Sequence, residues 1–314
     1  MSAMRIERIP FTTREAWLAA RAQDVTASTV AALVGAHPYV SAYEVWALKT
    51  GRIGEIAEET GAMRRGRLLE PVAVELLREQ RPDWKVEPNR DYFRDPAIRL
   101  GATPDTLVTC PVFGLGTVQI KSVERSVFAR GWREADTGEI ELPVGYALQV
   151  ITEAHLVGAK WAAVGALVVS HDIALEIIEV PIHAGVIETL RRAVGEFWAT
   201  VEGGRVPEPD WMRDVALAAR LHGDTGQTVD LSADNALPSL LDERAETKAR
   251  IKADEARCSE IDAEIRTKVG FAAGASLPGW KISLKTQEAK AYQVAARTTR
   301  PIRVTRIQQR ESAA

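Results

Sequence analysis

The chain has 314 residues, 46% of them hydrophobic and 26% charged, with a net charge of −3. This is enough apolar material for a full core and enough length for about two domains, but a poor charge balance for a protein that coats nucleic acid. No apolar run approaches the roughly 20 residues that span a bilayer, and Met1 to Arg14 lacks the apolar stretch of a signal peptide, so a cytoplasmic protein with no membrane partner is expected. Two cysteines, Cys110 and Cys258, are too few for a disulfide framework, a zinc cage or a four-cysteine iron–sulfur cluster.

In chain order, Thr12 or Thr13 caps a helix running through Trp17 and Ala20. Thr26 or Ser28 caps a second, Thr29 to Val34, closed by Gly35. Ser41 precedes a third, with Tyr43, Val45, Trp46 and Leu48, ended by Gly51. A fourth begins near Met63 and carries Leu68, Leu69, Val72, Val74, Leu76 and Leu77, with Pro71 as an irregularity. Short runs bounded by Gly, Pro, Asn or Asp then read as strands: Trp84 to Glu87, Tyr92 to Arg94, Leu107 to Thr109 and Thr117 to Val123. Pro143 to Gly158 has helical spacing, Ala162 to Ser170 and Glu176 to Pro181 read as strands, and Val186 to Val201 as a helix. The order predicts an α/β fold with a mixed central sheet flanked by helices.

Gly203-Gly204 and Pro207 to Pro209 break this pattern. The expected division is a first domain over 1–210, a linker over 211–237, a charged helical extension over 238–272 and a basic tail over 273–314. In the helical stretch Ile251, Cys258 and Ile265 recur every seven residues, a spacing that suits one long helix or a helix pair. From Lys281 to Arg310 eight bases (Lys281, Lys285, Lys290, Arg297, Arg300, Arg303, Arg306, Arg310) meet one acid, Glu288. That tail carries +7 and leaves −10 for the remainder, a distribution that fits either phosphate contact or a solvated surface.

Gly101-Ala-Thr-Pro-Asp105 offers a turn carboxylate, and Gln119-Ile-Lys121 follows within an apolar run. On a strand, residues two apart share a face, so Gln119 and Lys121 point one way and Ile120 points back into a core. A carboxylate that can hold a hard cation, beside an amine that can face a scissile phosphate, suits metal-assisted phosphodiester cleavage. Five histidines show no ligand spacing. Trp17, Trp46, Trp132, Trp161 and Trp198 read as core residues, Trp132 also being a candidate DNA contact in its Gly-rich setting.

Six ordered blocks carry a resemblance: Trp17 to Arg21 with Thr26 to Ser28; Ala36 to Tyr39 with Tyr43 to Gly51; Gly66 to Pro71; Thr103 to Asp105; Gln119 to Lys121; and Tyr146 to Val150. Phe197-Trp198 with Gly203 to Pro207 closes the set. From Glu15 to Pro209 the chain resembles the YqaJ-like viral recombinases, relatives of the lambda exonuclease in the PD-(D/E)xK nuclease superfamily. The resemblance implies a restriction-endonuclease-like core over 1–210. Asp105 then matches the central metal-binding aspartate, Lys121 the catalytic lysine, and Glu70 a helical glutamate that holds or water-bridges a second magnesium. The Ile120 backbone carbonyl completes the metal shell, and Arg21, Ser28, Thr103 and Gln149 match a 5'-phosphate pocket. Magnesium, replaceable by manganese, is the implied cofactor. Double-stranded DNA ends, a single-strand annealing protein and a ring-shaped homo-oligomer are the implied partners.

Gln119 departs from the commonest family pattern, which has glutamate: its amide oxygen can still ligate the metal beside Asp105, but the site loses one negative charge. Some branches of the superfamily are similar in using a QxK form. Thr103 keeps the hydroxyl of a frequent serine, and Thr106 stands where glycine is common. The expected function is a magnesium-dependent 5'-to-3' DNA exonuclease of phage-type recombination, in a bacterial or phage-infected cell. Two rivals are a nuclease-fold DNA-binding protein weakened or silenced by Gln119, and a defence-system endonuclease.

Overall fold

The computed structural model describes residues 5–54, 59–134, 136–291, 293, 296 and 299–306. The chain divides into two compact units between Gly223 and Asp224.

Two sheets organise the first unit. The smaller has strands β1 (Glu7–Pro10), β4 (Asp91–Asp95), β5 (Leu100–Ala102) and β2 (Val25–Thr26) side by side in that order. The larger is ordered β3 (Lys85–Pro88), β6 (Thr106–Cys110), β7 (Gly114–Glu124), β8 (Trp161–Val169) and β9 (Ile173–Glu179). Its β7–β8 pair is parallel and the other neighbours antiparallel, so the sheet is mixed. The helices are α1 (Arg14–Ala22), α2 (Ala27–Val30) with a 3-10 turn over Ala31–Val34, α3 (Ala42–Lys49), α4 (Gly61–Gln80), α5 (Arg125–Gly131), α6 (Val144–Val157), α7 (Ala184–Glu202) and α8 (Val215–Leu221).

The caps follow from the sequence. The hydroxyls of Thr13, Ser41 and Thr60 accept the N–H groups of Ala16, Glu44 and Met63, satisfying first-turn donors of α1, α3 and α4. Gly35 and Gly158 end their helices in the left-handed region, at φ 70° and 74°. Pro71 lies inside α4 without ending it.

Strand periodicity places the chemistry. Along β8, Ala162, Val164, Ala166 and Val168 pack with Val150, Ile151 and Ala154 of α6, while Ala163 and Leu167 pack with Ala73, Val74 and Leu77 of α4. On β7, Val118 and Ile120 belong to the α4 side. Gln119 and Lys121 therefore face α6, in the alternation expected from the sequence. A third apolar cluster joins Val25, Phe93 and Leu100 of the smaller sheet to Trp46 of α3 and to Leu190, Phe197 and Trp198 of α7.

One glycine in this region has a packing reason. A Cβ on Gly101 would overlap the phenol of Tyr92, which is fully buried. Gly101→Ala is expected to lower stability by about 1–3 kcal/mol through overpacking. A urea midpoint equal to that of the parent would contradict this.

Several elements differ from the sequence reading. Strands β1, β2 and β5, together with α5, carry too few residues for a periodic signal. Helix α8 falls where a linker was expected from residue 211, and the first unit extends to Gly223 for a physical reason. Leu217 of α8 joins the core cluster, and the buried Asp214 accepts a 2.7 Å hydrogen bond from Ser41 at the cap of α3. Trp46, Trp132 and Trp198 are buried as expected, whereas Trp17 and Trp161 are only partly so. Burial against Phe128 and Tyr146 removes Trp132 from consideration as a DNA contact.

In the second unit a helix α9 (Leu237–Val269) spans 33 residues with no buried side chain. A hairpin of β10 (Gly274–Leu277) and β11 (Trp280–Ser283) occupies the start of the expected basic tail and includes Lys281. Arg306 pairs with Asp242 of α9 at 2.9 Å, and Arg244 donates to the Ile302 carbonyl. Arg297 and Arg310 lie outside the described residues. Among the described residues, no helix is long and apolar enough to cross a membrane.

Candidate active site

An open cleft of about 830 Å³ lies in the first unit. Its lining includes Arg21, Ser28, Glu70, Thr103, Asp105, Gln119, Lys121 and Gln149, the side chains expected to carry catalysis and phosphate binding. These come from α1, α2, α4, the turn before β6, β7 and α6.

Asp105 is fixed from two directions. Its Oδ2 accepts the Ile120 N–H at 2.8 Å, and its own backbone N–H donates to Gln119 Oε1 at 3.1 Å. A backbone donor requires the amide oxygen as its acceptor, so this bond sets the orientation of Gln119. Gln119, expected as a cation ligand, thus has its oxygen engaged with Asp105. The Lys121 Nζ stands 5.3 Å from the Tyr146 ring centroid, so an aromatic face steadies the ammonium.

Three of the four pocket positions, Thr103, Arg21 and Ser28, are linked through Trp17, a residue expected in the core. Trp17 donates its indole N–H to Thr103 Oγ1 at 3.0 Å, and the Arg21 guanidinium lies 4.3 Å from its ring centroid. Arg21 also reaches Ser28 Oγ at 3.5 Å, and Ser28 bonds to Thr26 at 3.0 Å. Gln149 points its amide N–H at Glu153 Oε1, 2.8 Å away. Arg14, Arg67 and Arg90 add positive charge to the cleft wall.

Glu153 is the main residue that sequence reasoning missed. It is 1% exposed, lines the cleft, and its Oε2 has no hydrogen-bond partner among the described residues. A signal existed: an acid in the apolar helix α6, four residues after Gln149, shares that residue's face.

The acids oppose one another's ionisation. Burial, then the charge of Asp105, pushes Glu153 up to about 8, against the pull of Lys121 and the Gln149 amide. Burial and Asp105 likewise push Glu70 up to about 7, with Lys121 opposing. Asp105 is raised by burial and held down by Lys121, the Ile120 N–H and Gln119.

A buried acid whose folded pKa lies above its unfolded value stabilises the fold fully at low pH, and that contribution is lost as pH rises from about 4.5 through 8. In metal-free buffer, Glu153→Gln is therefore expected to raise the melting temperature at pH 8.5 by several degrees. Little change is expected at pH 5, since the displacement corresponds to on the order of a few kcal/mol. Calorimetry with a chelator present checks it, and an equal difference at both pH values would refute it.

Oxygen donors, mutually repelling carboxylates and an orphaned buried carboxylate oxygen fit a hard divalent cation. Among the described residues no three His, Cys, Asp or Glu side chains form a ready-made cage.

A phage-related exonuclease from Haemophilus somnus 129PT has 13% identity to this chain and a TM-score of 0.37, covering 58% of this chain and 96% of that one. The crystal structure of an alkaline exonuclease (LHK-Exo) from Laribacter hongkongensis has 22% identity and a TM-score of 0.47, covering 65% of this chain and 98% of that one. LHK-Exo in complex with dAMP gives 24% identity and a TM-score of 0.46 at the same coverage. No curated protein matches the chain. The family model of the YqaJ-like viral recombinase domain matches residues 16–160, a narrower span than the resemblance drawn from Glu15 to Pro209. The residues named in the cleft from Trp17 to Glu153 all lie within that match.

Proposed function

We propose that the chain is a magnesium-dependent exonuclease that degrades linear double-stranded DNA from 5' ends in phage-type recombination. The observation that carries this reading is the sharing of one cleft by two groups of residues. Asp105, Glu70 and Lys121 form one group, and Arg21, Ser28, Thr103 and Gln149 the other. The first has the chemistry of hydrolysis, and the second offers a guanidinium, two hydroxyls and an amide to a terminal phosphate.

Asp105 would hold the cation, Glu70 would hold or water-bridge a second one, and manganese would substitute for magnesium. When bound, such an ion supplies charge stabilisation at the scissile phosphate and lowers the pKa of a water. Lys121 positions the attacking water and stabilises charge on the phosphoryl oxygens. Gln119 keeps Asp105 in place by accepting its backbone N–H. Trp17 holds Thr103 and stacks on Arg21, which fixes the phosphate donors relative to the hydrolytic group.

The test is digestion with magnesium of linear duplex carrying 5'-phosphate, against 5'-hydroxyl linear duplex and closed circles. Loss of the phosphorylated duplex from its ends, with circles intact, is the expected result. Nicking of circles would replace this reading with an endonuclease, and retention of DNA without product would replace it with a non-cleaving binding protein.

A further inference from the structure

On β7, position 119 contributes no charge, and the Gln119 amide oxygen is already bonded to the Asp105 N–H. Across the cleft, Glu153 is a carboxylate with no structural task that accounts for both its oxygens. One accepts from Gln149 at 2.8 Å, and the other is buried with no donor. Its neighbours Val150, Ile151 and Ala154 face an apolar cluster that asks for no acid. Leaving a buried acceptor unpaired is costly, more so when the group is charged, so an unpartnered carboxylate lining the cleft implies a partner not supplied by the protein.

We propose that Glu153 supplies from helix α6 the negative charge that position 119 of strand β7 lacks, so that a divalent cation beside Asp105 is held between a strand aspartate and a helix glutamate. This rests on the reading of the cleft as a metal-dependent hydrolytic site. Gln149 then acts as a positioning residue, because its amide pins one carboxylate oxygen and leaves the other for the cation or its water. The arrangement keeps two carboxylates, enough for an ion that retains several waters.

The test is manganese binding to the full chain, followed by the electron paramagnetic resonance of free Mn2+, which needs no turnover. Wild type, Asp105→Asn, Glu153→Gln and the exchange variant Gln119→Glu/Glu153→Gln are compared, with melting temperatures taken as a check on folding. Glu153→Gln is expected to weaken binding about ten-fold or more, and the exchange variant to recover to within about three-fold of wild type by returning the acid to the strand. Glu153→Leu gives a second neutral replacement should the glutamine variant not fold. Wild-type affinity in either neutral variant overturns the proposal while leaving the hydrolytic reading intact, provided Asp105→Asn abolishes binding. An exchange variant as weak as Glu153→Gln also overturns it, because a purely structural glutamate would not be rescued from position 119. No binding by wild type, or full binding by Asp105→Asn, removes the hydrolytic reading and this proposal with it.

Discussion

Lys121→Ala is expected to slow degradation of 5'-phosphorylated linear DNA by about a thousand-fold, the scale of removing one preorganised charge-stabilising donor. Strand β7 sets the lysine on the cleft face, pairing with β6 on one side and β8 on the other holds that strand, and the Tyr146 ring steadies its ammonium. The same charge pulls down the pKa values of Glu70, Asp105 and Glu153. Removing it takes away a positive neighbour of the cation site, so Mn2+ affinity should hold or tighten while turnover collapses. Single-turnover digestion beside a metal titration separates these effects. Residual activity within ten-fold of wild type, or a parallel loss of metal binding, would show that Lys121 serves the fold and not the chemistry.

Asp24→Ala is expected to produce the largest loss of stability, about 3–5 kcal/mol, the usual consequence of stripping one partner from a buried ion pair. Asp24 is fully buried between α1 and β2. It accepts Arg94 Nε at 2.9 Å, Arg94 Nη2 at 2.7 Å and the Tyr92 hydroxyl at 3.1 Å. Among the described residues Arg94 would keep the ion pair with Glu7 alone, 3.6 Å away and more exposed. For a unit of this size the melting temperature should fall by roughly 10 °C. Because Asp24 anchors the corner between Arg21 and Ser28, affinity for 5'-phosphorylated ends should weaken with it, and affinity for internal duplex much less. A melting point within 3 °C of wild type, on a scale of about 2–4 °C per kcal/mol, would reject this account.

Much of the cleft was legible because it rests on local rules. The period of β7 put Gln119 and Lys121 on one face, and the turn at Thr103 to Asp105 marked a carboxylate before a strand. The helix caps at Thr13 and Ser41 follow the same kind of rule. What escaped was decided by tertiary contact. Strand β2 has two residues and exists because β5 lies beside it, a pairing of residues 25 and 26 with 100 and 101 that no window of sequence contains. Helix α8 is recognised as part of the first unit only when Leu217 and Asp214 are seen buried. The Gly274 to Ser283 hairpin was hidden in a segment read by charge alone. Glu153 escaped because an acid on a helix usually faces water, and only the packing of α6 against the sheet turns it inward. Trp17 was mistaken for core because an indole serves equally as apolar filler and as N–H donor.

The parallel pairing of β7 with β8 has a practical consequence for dissecting the molecule. The family-matched segment stops at residue 160, immediately before β8, which runs beside β7 from Gly116 to Glu124. A fragment cut there would bare one whole flank of β7, with its unpaired N–H and C=O groups, and would lose the apolar layer against which both α4 and α6 pack. Such a flank is a template for strand addition by other copies. The smallest piece that behaves as a monodisperse protein should therefore reach past Leu217, far beyond the stretch that carries the family signature.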